Sequence, residues 1–184
     1  MRKFFAAVIL FAAMIPSICF AIKPTDFLLG GVWLDEPYDY VIRGYGQPTS
    51  NPGGYAQLVS DVIMYGNDVE IGFLGKKVRY VVTTANNGWR TSAGVYVGMS
   101  LDEVLRIYGG NYEVQTRTPA DIPEFMRESG KPYFSYKWTG TKYSWAQVSD
   151  NYMYKPGDTT YIISVVVNNN KVTGIELSQR TPEY

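Results

Sequence analysis

Histidine is absent from this sequence, and cysteine occurs once, at Cys19. Without histidine, the chain lacks the commonest general base, the commonest zinc ligand and the usual partner of a serine nucleophile. Cys19 lies in a segment that we expect to be removed, so the remaining chain would have no disulfide, no thiolate ligand and no cysteine nucleophile. The sequence also lacks a phosphate-binding G-x-x-x-x-G-K-[ST] loop and a calcium-binding loop. These absences predict a protein that is not an enzyme and has no cofactor or metal.

An excess of positive charge is missing as well. The sequence has 17 basic and 17 acidic residues, and loss of Arg2 and Lys3 would leave 15 basic residues against 17 acidic ones. Domains that bind nucleic acid usually carry a basic face. We therefore expect no nucleic-acid partner.

The chain has no apolar run long enough to cross a membrane, which takes about 20 apolar residues. Its one sustained apolar stretch covers residues 4–15, after a basic start and before small residues in Cys19-Phe20-Ala21. This order is typical of a secretory signal peptide. We interpret residues 1–21 as a cleaved signal and expect a mature chain without a transmembrane segment, in the periplasm or outside the cell.

What the sequence does contain is an internal repeat. GVWLDEPYDYVIRGYG, residues 31–46, aligns without a gap with GVYVGMSLDEVLRIYG, residues 94–109, and seven of the 16 positions are identical. Unrelated segments of this length would share roughly one position. We interpret the repeat as an internal duplication.

Each copy of the repeat predicts a short helix. In the second copy Ser100 and Glu103 form an S-x-x-E capping box, and Gly109 ends the apolar periodicity. In the first copy Pro37 opens the helix and Gly46 closes it. The apolar positions that share one helix face are Leu101, Val104, Leu105 and Tyr108 in the second copy and Tyr38, Val41, Ile42 and Tyr45 in the first.

Strand-like segments follow each helix. They cover residues 62–66, 69–75 and 77–84 after the first helix, and residues 149–155, 159–167 and 171–178 after the second. We therefore predict an α+β fold of two tandem units, each with a short helix packed on an antiparallel β-meander. The first unit spans residues 22–91, and the second spans residues 92–184 with an inserted segment at about 116–147.

The second copy of the repeat resembles the G-[IV]-x-x-G-M-[ST]-x-x-E-V-x-x-x-Y-G signature of small exported helix-plus-sheet modules. Such modules occur singly in outer-membrane assembly lipoproteins of the SmpA/OmlA type and in tandem in the β-lactamase-inhibitory proteins. In the first copy Asp35 and Glu36 stand where the signature has the pair Gly98-Met99. The resemblance to the tandem form implies two helix-on-sheet units and a non-catalytic, protein-binding role.

The inserted segment contains the candidate binding residues. A two-residue turn at Thr139-Gly140 would form a hairpin in which five aromatic side chains project from one face. These are Phe134, Tyr136, Trp138, Tyr143 and Trp145. Such a stripe can face the core, or it can form an exposed platform for a partner.

Three functions remain open from the sequence. The first is an exported or envelope-associated module that binds a protein partner in the cell envelope or extracellular space, in the manner of an inhibitor. The second is a glycan or cell-wall binding protein that uses the same aromatic residues. The third is a carboxylate-dependent hydrolase, for which four acidic pairs are candidates. These pairs are Asp35/Glu36, Asp68/Glu70, Asp102/Glu103 and Asp121/Glu124.

Overall fold

In a computed structural model, the described part of the chain comprises residues 22, 24–54, 59–122, 124, 127, 133–148 and 159–180. The predicted signal peptide, residues 1–21, lies outside these ranges. No helix in the described part is long and apolar enough to cross a membrane. The elements in chain order are β1 (Leu28–Leu29), β2 (Val32–Trp33), α1 (Tyr38–Tyr45), β3 (Asp61–Tyr65), β4 (Val69–Leu74), β5 (Lys77–Thr83), α2 (Leu101–Tyr108), β6 (Glu113–Arg117), α3 (Phe134–Lys137), β7 (Gly140–Val148), β8 (Thr160–Asn168) and β9 (Lys171–Arg180), with 3-10 turns at Pro24–Asp26 and Pro119–Asp121.

The fold is mostly β, and the predicted α+β arrangement of two tandem units is wrong. One antiparallel sheet of seven strands, in the order β3-β4-β5-β9-β8-β7-β6, accompanies a two-stranded sheet of β1 and β2. Strand β5 pairs with β9 from Tyr80↔Ser178 to Thr83↔Ile175. The physical reason is that two separate meanders would each leave an edge with unpaired backbone groups, and pairing the two edges satisfies both. The helices then pack on a shared sheet.

The main core lies on the face of the sheet that carries α1 and α2. A row of directly paired residues crosses six strands on this face, and every side chain in it is buried. Val41 of α1 and Val104 of α2 belong to the same apolar cluster. The residues of the row are Ile63, Ile71, Val81, Leu177, Ile163 and Trp145.

The local predictions for the helices are confirmed. Helix α2 has the predicted capping box, with Ser100 Oγ accepting from the Glu103 backbone N–H at 3.4 Å and Glu103 Oε2 accepting from the Ser100 backbone N–H at 3.0 Å. Helix α1 begins after Pro37, which makes no side-chain cap. Both helices end at a glycine with φ near 78°, a conformation that favours glycine.

The first predicted meander is also confirmed, as β3, β4 and β5, but the second is only partly correct. The place predicted for its first strand, beside β8, is taken by β7. Residues 149–155 lie outside the described part of the chain. The last two predicted strands correspond to β8 and β9. Strand β7 pairs with β6 on its other side.

The aromatic hairpin predicted around Thr139-Gly140 does not form. Residues 134–137 are the single helical turn α3, and Gly140 begins β7. Gly140 has φ 114°, and a Cβ there would lie 2.4 Å from Asn168 Oδ1. The Thr139 carbonyl accepts from Asn168 Nδ2 at 3.0 Å. Contacts with β8 therefore fix residues 139–140 as the start of a central strand, and no two-residue turn is available.

Candidate functional site

The five predicted aromatic residues do not share one face. Trp145 is 2% exposed and lies in the main core, with its Nε1–H donating to the Gly109 carbonyl at 3.1 Å. Tyr143 is partly buried against the same cluster. Trp138, 4% exposed, and Phe134 lie on the opposite face of the sheet, and the side chain of Tyr136 is outside the described part. The structure therefore places Tyr143 and Trp145 on one face of the sheet and Phe134 and Trp138 on the other.

The opposite face carries a buried carboxylate, Glu70 on β4. Its Oε1 accepts from the Tyr80 hydroxyl, and its Oε2 accepts from the Phe134 backbone N–H at 2.8 Å. Burial raises the pKa of Glu70 to about 7, although the two hydrogen bonds act in the other direction. Glu70 thus ties the start of α3 to the sheet.

A second acidic residue on this face, Glu176 on β9, is paired with a cation. Lys142 Nζ lies 2.6 Å from Glu176 Oε2, and both side chains are mostly buried. Lys142 also lies over the Trp138 ring at 5.3 Å from its centroid, and Arg117 lies over that ring at 4.3 Å. Trp138 is therefore held by two cation–π contacts.

A pocket of about 270 Å³ opens between α3 and the sheet on this face. It brings Phe134 and Trp138, two of the predicted site residues, next to Glu70. The other lining residues are mostly polar. They are Met64, Asn67, Asp68, Val82, Thr84, Lys137, Thr139, Val166, Asn168 and Thr173.

Several of the carboxylates considered for catalysis have structural partners. Hydrogen bonds from the side chain and backbone of Ser100 lower the pKa of Glu103, and those from Thr118, backbone first, lower the pKa of Asp121. Asp35 Oδ2 accepts from the Tyr161 hydroxyl at 3.1 Å and from the Gln179 amide. These carboxylates cap turns or tie loops to strands.

An exposed aromatic surface surrounds α1, and it was not predicted from the sequence. We define the α1 aromatic surface as Trp33, Tyr40, Tyr45 and Trp89. Trp33, Tyr40 and Tyr45 are 41%, 58% and 37% exposed, and they are three of the four large apolar side chains that are exposed in the described part of the chain. The Tyr45 and Trp89 ring centroids lie 5.2 Å apart.

A shallow depression of about 530 Å³ runs along this surface. Tyr40 and Tyr45 line it, together with Glu36 and Arg43. The Arg43 guanidinium lies over the Tyr40 ring at 4.4 Å from its centroid. The Trp33 backbone N–H donates to Glu36 Oε2 at 3.2 Å, which places Trp33 beside the depression.

Two glycines let the aromatic rings pack closely at this surface. A Cβ at Gly30 would lie 2.2 Å from the Trp89 ring, and a Cβ at Gly31 would lie 2.7 Å from the Tyr45 hydroxyl. The Tyr45 hydroxyl donates to the Gly30 carbonyl. Desolvation, with a smaller contribution from Glu36, raises the pKa of the Tyr45 hydroxyl. The geometry fixes Tyr45 and Trp89 and leaves Tyr40 projecting into solvent.

The repeat itself contained the signal that identifies this surface. Tyr40 occupies the position of Glu103, and Pro37 occupies the position of Ser100. The first copy therefore lacks both capping residues. A side-chain cap stabilises a helix by about 1 kcal/mol. Tyr40 is therefore exposed at the position where, in the other copy, Glu103 stabilises α2.

Within the described part of the chain, no group of three or more carboxylates is placed to hold a metal ion. The surface around α1 combines Trp, Tyr and Arg, which are the residue types enriched where proteins contact one another. Comparisons with protein-family models, with curated proteins and with solved structures found no match for this chain.

Proposed function

We propose that the protein is an exported, non-catalytic binding module and that a protein partner in the cell envelope or extracellular space docks on the α1 aromatic surface. The observation that carries the proposal is that the exposed rings of Tyr40 and Tyr45 line one depression, with the exposed Trp33 next to Glu36 at its side. Partly buried aromatic residues bring large apolar area to an interface at a low cost in conformational entropy.

The energetics support a functional reading of Tyr40. With tyrosine in place of the capping glutamate, α1 has no side-chain cap, and Gly44 in the same helix costs about 1 kcal/mol relative to alanine. In α2 the position of Gly44 is taken by Ile107. Helix α1 thus has a less stabilising sequence and a more exposed surface, as expected when a surface is selected for binding.

The proposal is tested by capture from the protein's own envelope fraction, with the full chain as bait. Trp33→Ala/Tyr40→Ala should weaken the retained protein complex by about 30-fold or more, since interface hot spots contribute about 2 kcal/mol or more. Arg106→Ala is the control because Arg106 is exposed on α2, outside the α1 aromatic surface. Equal capture by both variants and the unaltered chain would refute the proposed surface.

A second candidate function, glycan binding, is favoured by the pocket beside α3. Its volume of about 270 Å³ is just below the range of about 300–1,000 Å³ for drug-sized ligands, which suits a single sugar ring. Phe134 supplies an apolar wall, while Asn67, Asp68 and Thr84 supply polar groups.

Titration with monosaccharides and cell-wall fragments tests this candidate. Binding should change the tryptophan fluorescence of the unaltered chain, and Trp138→Phe should remove that change, whereas Trp33→Phe should leave it. Capture from the envelope fraction that is unchanged by Trp33→Ala/Tyr40→Ala and by protease treatment of that fraction would favour a glycan over a protein as the partner.

A further inference from the structure

The loop that follows β5 contains Asn87 and Gly88, and every other asparagine of the sequence precedes a larger residue. Both residues are exposed. The backbone nitrogen that follows an asparagine can attack its side-chain amide, and glycine hinders this attack least because it has no Cβ. A Cβ at Gly88 would have nothing within 4 Å, so the space beside this residue is open to solvent.

The side-chain oxygen of Asn87 is held by two donors. The Trp89 backbone N–H donates to Asn87 Oδ1 at 3.1 Å, and the Thr83 hydroxyl donates to the same oxygen at 3.3 Å. The Thr83 hydroxyl also lies 3.4 Å from the Ala85 carbonyl, so Asn87 is the nearer of its two acceptors. Negative charge develops on this amide oxygen when its carbon is attacked, and donors aimed at the oxygen stabilise that charge.

The two nitrogens that would take part in such an attack are unrestrained. Among the residues that the structure describes, none accepts from the Gly88 backbone N–H, and none accepts from Asn87 Nδ2. The loop therefore binds the amide oxygen but leaves free both the nitrogen that attacks and the nitrogen that departs.

We propose that Asn87 is a site of spontaneous modification, at which reaction with Gly88 converts the asparagine into aspartate and isoaspartate. The Gly88 backbone nitrogen loses its proton to hydroxide and forms a bond to Asn87 Cγ. The Cγ–Nδ2 bond breaks, and the departing nitrogen takes a proton from water and leaves as ammonia, so that a succinimide ring remains. Water then opens the ring. Attack at Cγ gives aspartate, and attack at the backbone carbonyl carbon gives isoaspartate.

Both products change the segment that positions Trp89. Each carries a carboxylate in place of the neutral amide, and in isoaspartate the backbone gains a methylene group from the side chain. The Trp89 ring packs against Tyr45, with ring centroids 5.2 Å apart, and over Gly30, where a Cβ would lie 2.2 Å from the ring. The modification therefore acts next to the α1 aromatic surface, although its chemistry does not depend on the proposed function of that surface.

Peptide mass spectrometry of the folded full chain, incubated at neutral pH, tests the proposal. A mass increase of about 1 Da should appear at residue 87, and fragment ions should exclude the neighbouring residue 86. The reference is a synthetic peptide of residues 83–91, which has the same sequence without the fold. Because the fold supplies the two donors to the amide oxygen, the full chain should lose the amide at least as fast as the peptide. Slower loss from the full chain, or none, would overturn the proposal.

Thr83→Val supplies a second measurement, because it removes one donor and keeps the shape of the side chain. It should slow the reaction of the folded chain by about threefold or more, and it should leave the rate of a peptide with the same change unaltered. Circular dichroism checks that the variant is folded, and if it is not, the comparison of full chain and peptide decides alone. An equal rate in the folded variant and the unaltered chain would also overturn the proposal, because the fold would then contribute nothing to the reaction.

Discussion

The two halves of the sheet share local geometry but differ in how they use it. The Asp35 N–H donates to the Val78 carbonyl at 2.8 Å in the first half, and the Gly98 N–H donates to the Val172 carbonyl at the same distance in the second. The register shifts next to Phe73 in β4 and next to Val167 in β8. The backbone of the two repeat copies is therefore docked in the same way on β5 and β9.

At the C-terminal ends of α1 and α2 the same residue, tyrosine, has different surroundings in the two copies. Tyr108 is buried beside Trp145, with ring centroids 5.3 Å apart, and its hydroxyl donates to Thr91 Oγ1 at 2.8 Å. At the equivalent place in the first half, Tyr45 packs near Tyr65 at 5.8 Å and remains exposed. The comparison teaches that one half uses its aromatic residues to stabilise the core, while the other presents them to solvent.

The largest expected effect on stability concerns Trp145, which contacts Tyr108 at the end of α2, in comparison with Tyr65, which contacts Tyr45 at the end of α1. Trp145→Ala should lower the free energy of unfolding by about 3–5 kcal/mol because it removes a buried ring. Tyr65 is only partly buried, and its hydroxyl donates to the Gly46 carbonyl at 2.9 Å. Tyr65→Ala should therefore cost about 1–2 kcal/mol. Urea denaturation measures both, and equal losses would remove the contrast between the halves.

A second prediction concerns the buried carboxylates of the two halves. Burial raises the pKa of Glu70 from its ordinary value of 4.5 to about 7, so the folded state holds this proton more tightly than the unfolded state. The associated stability is fully present below about pH 4.5 and is lost as the pH rises through about 7. Each pKa unit corresponds to about 1.4 kcal/mol, so the loss is about 3 kcal/mol.

Glu70→Gln should remove this pH dependence, since the amide can accept from the Phe134 N–H and donate to the Tyr80 hydroxyl. The variant should be more stable than the unaltered chain at pH 8. Glu176→Gln is the matched variant in the second half, and it should lower stability at pH 8 by about 1.5–3 kcal/mol because Lys142 loses its carboxylate. Chemical denaturation from pH 4.5 to pH 8 tests the pair. If the stability of Glu70→Gln depended on pH in the same way as that of the unaltered chain, burial would not raise the pKa of Glu70.

The smallest effect compares the helix N-termini. Ser100→Ala removes the side-chain cap of α2 and should cost about 1 kcal/mol. Pro37→Ala removes no side-chain hydrogen bond and should change stability by less than about 0.5 kcal/mol. Thermal denaturation of the two variants measures the difference. A loss at Pro37 as large as that at Ser100 would contradict the view that α1 is uncapped.

The parts of the fold that could be predicted are those with local signals. The Ser100 and Glu103 box specifies the start of α2, and the glycine turns specify the first meander. The pairing of β5 with β9 could not be predicted because it joins strands far apart in sequence, and no local pattern distinguishes a paired edge from an open one.

The candidate site was predictable only in part. The alternation of Phe134, Tyr136 and Trp138 has the period of a strand, whereas the chain forms the helical turn α3 there, with the Phe134 N–H bound to Glu70 of β4. Tyr45 and Tyr108 are identical residues in aligned copies, so their different exposure depends on the neighbours that the sheet supplies. Tyr40 in the place of Glu103 was the one readable sign of an exposed surface.

The most direct test of the binding role is hydrogen–deuterium exchange of the full chain, alone and saturated with the protein captured from its envelope. The measurement compares two peptides of the same chain, one covering residues 30–46 and one covering residues 94–109. We predict that binding slows exchange in residues 30–46 and leaves residues 94–109 unchanged. Protection of residues 94–109, or a bound partner that leaves residues 30–46 unprotected, would contradict the assignment of binding to the α1 aromatic surface.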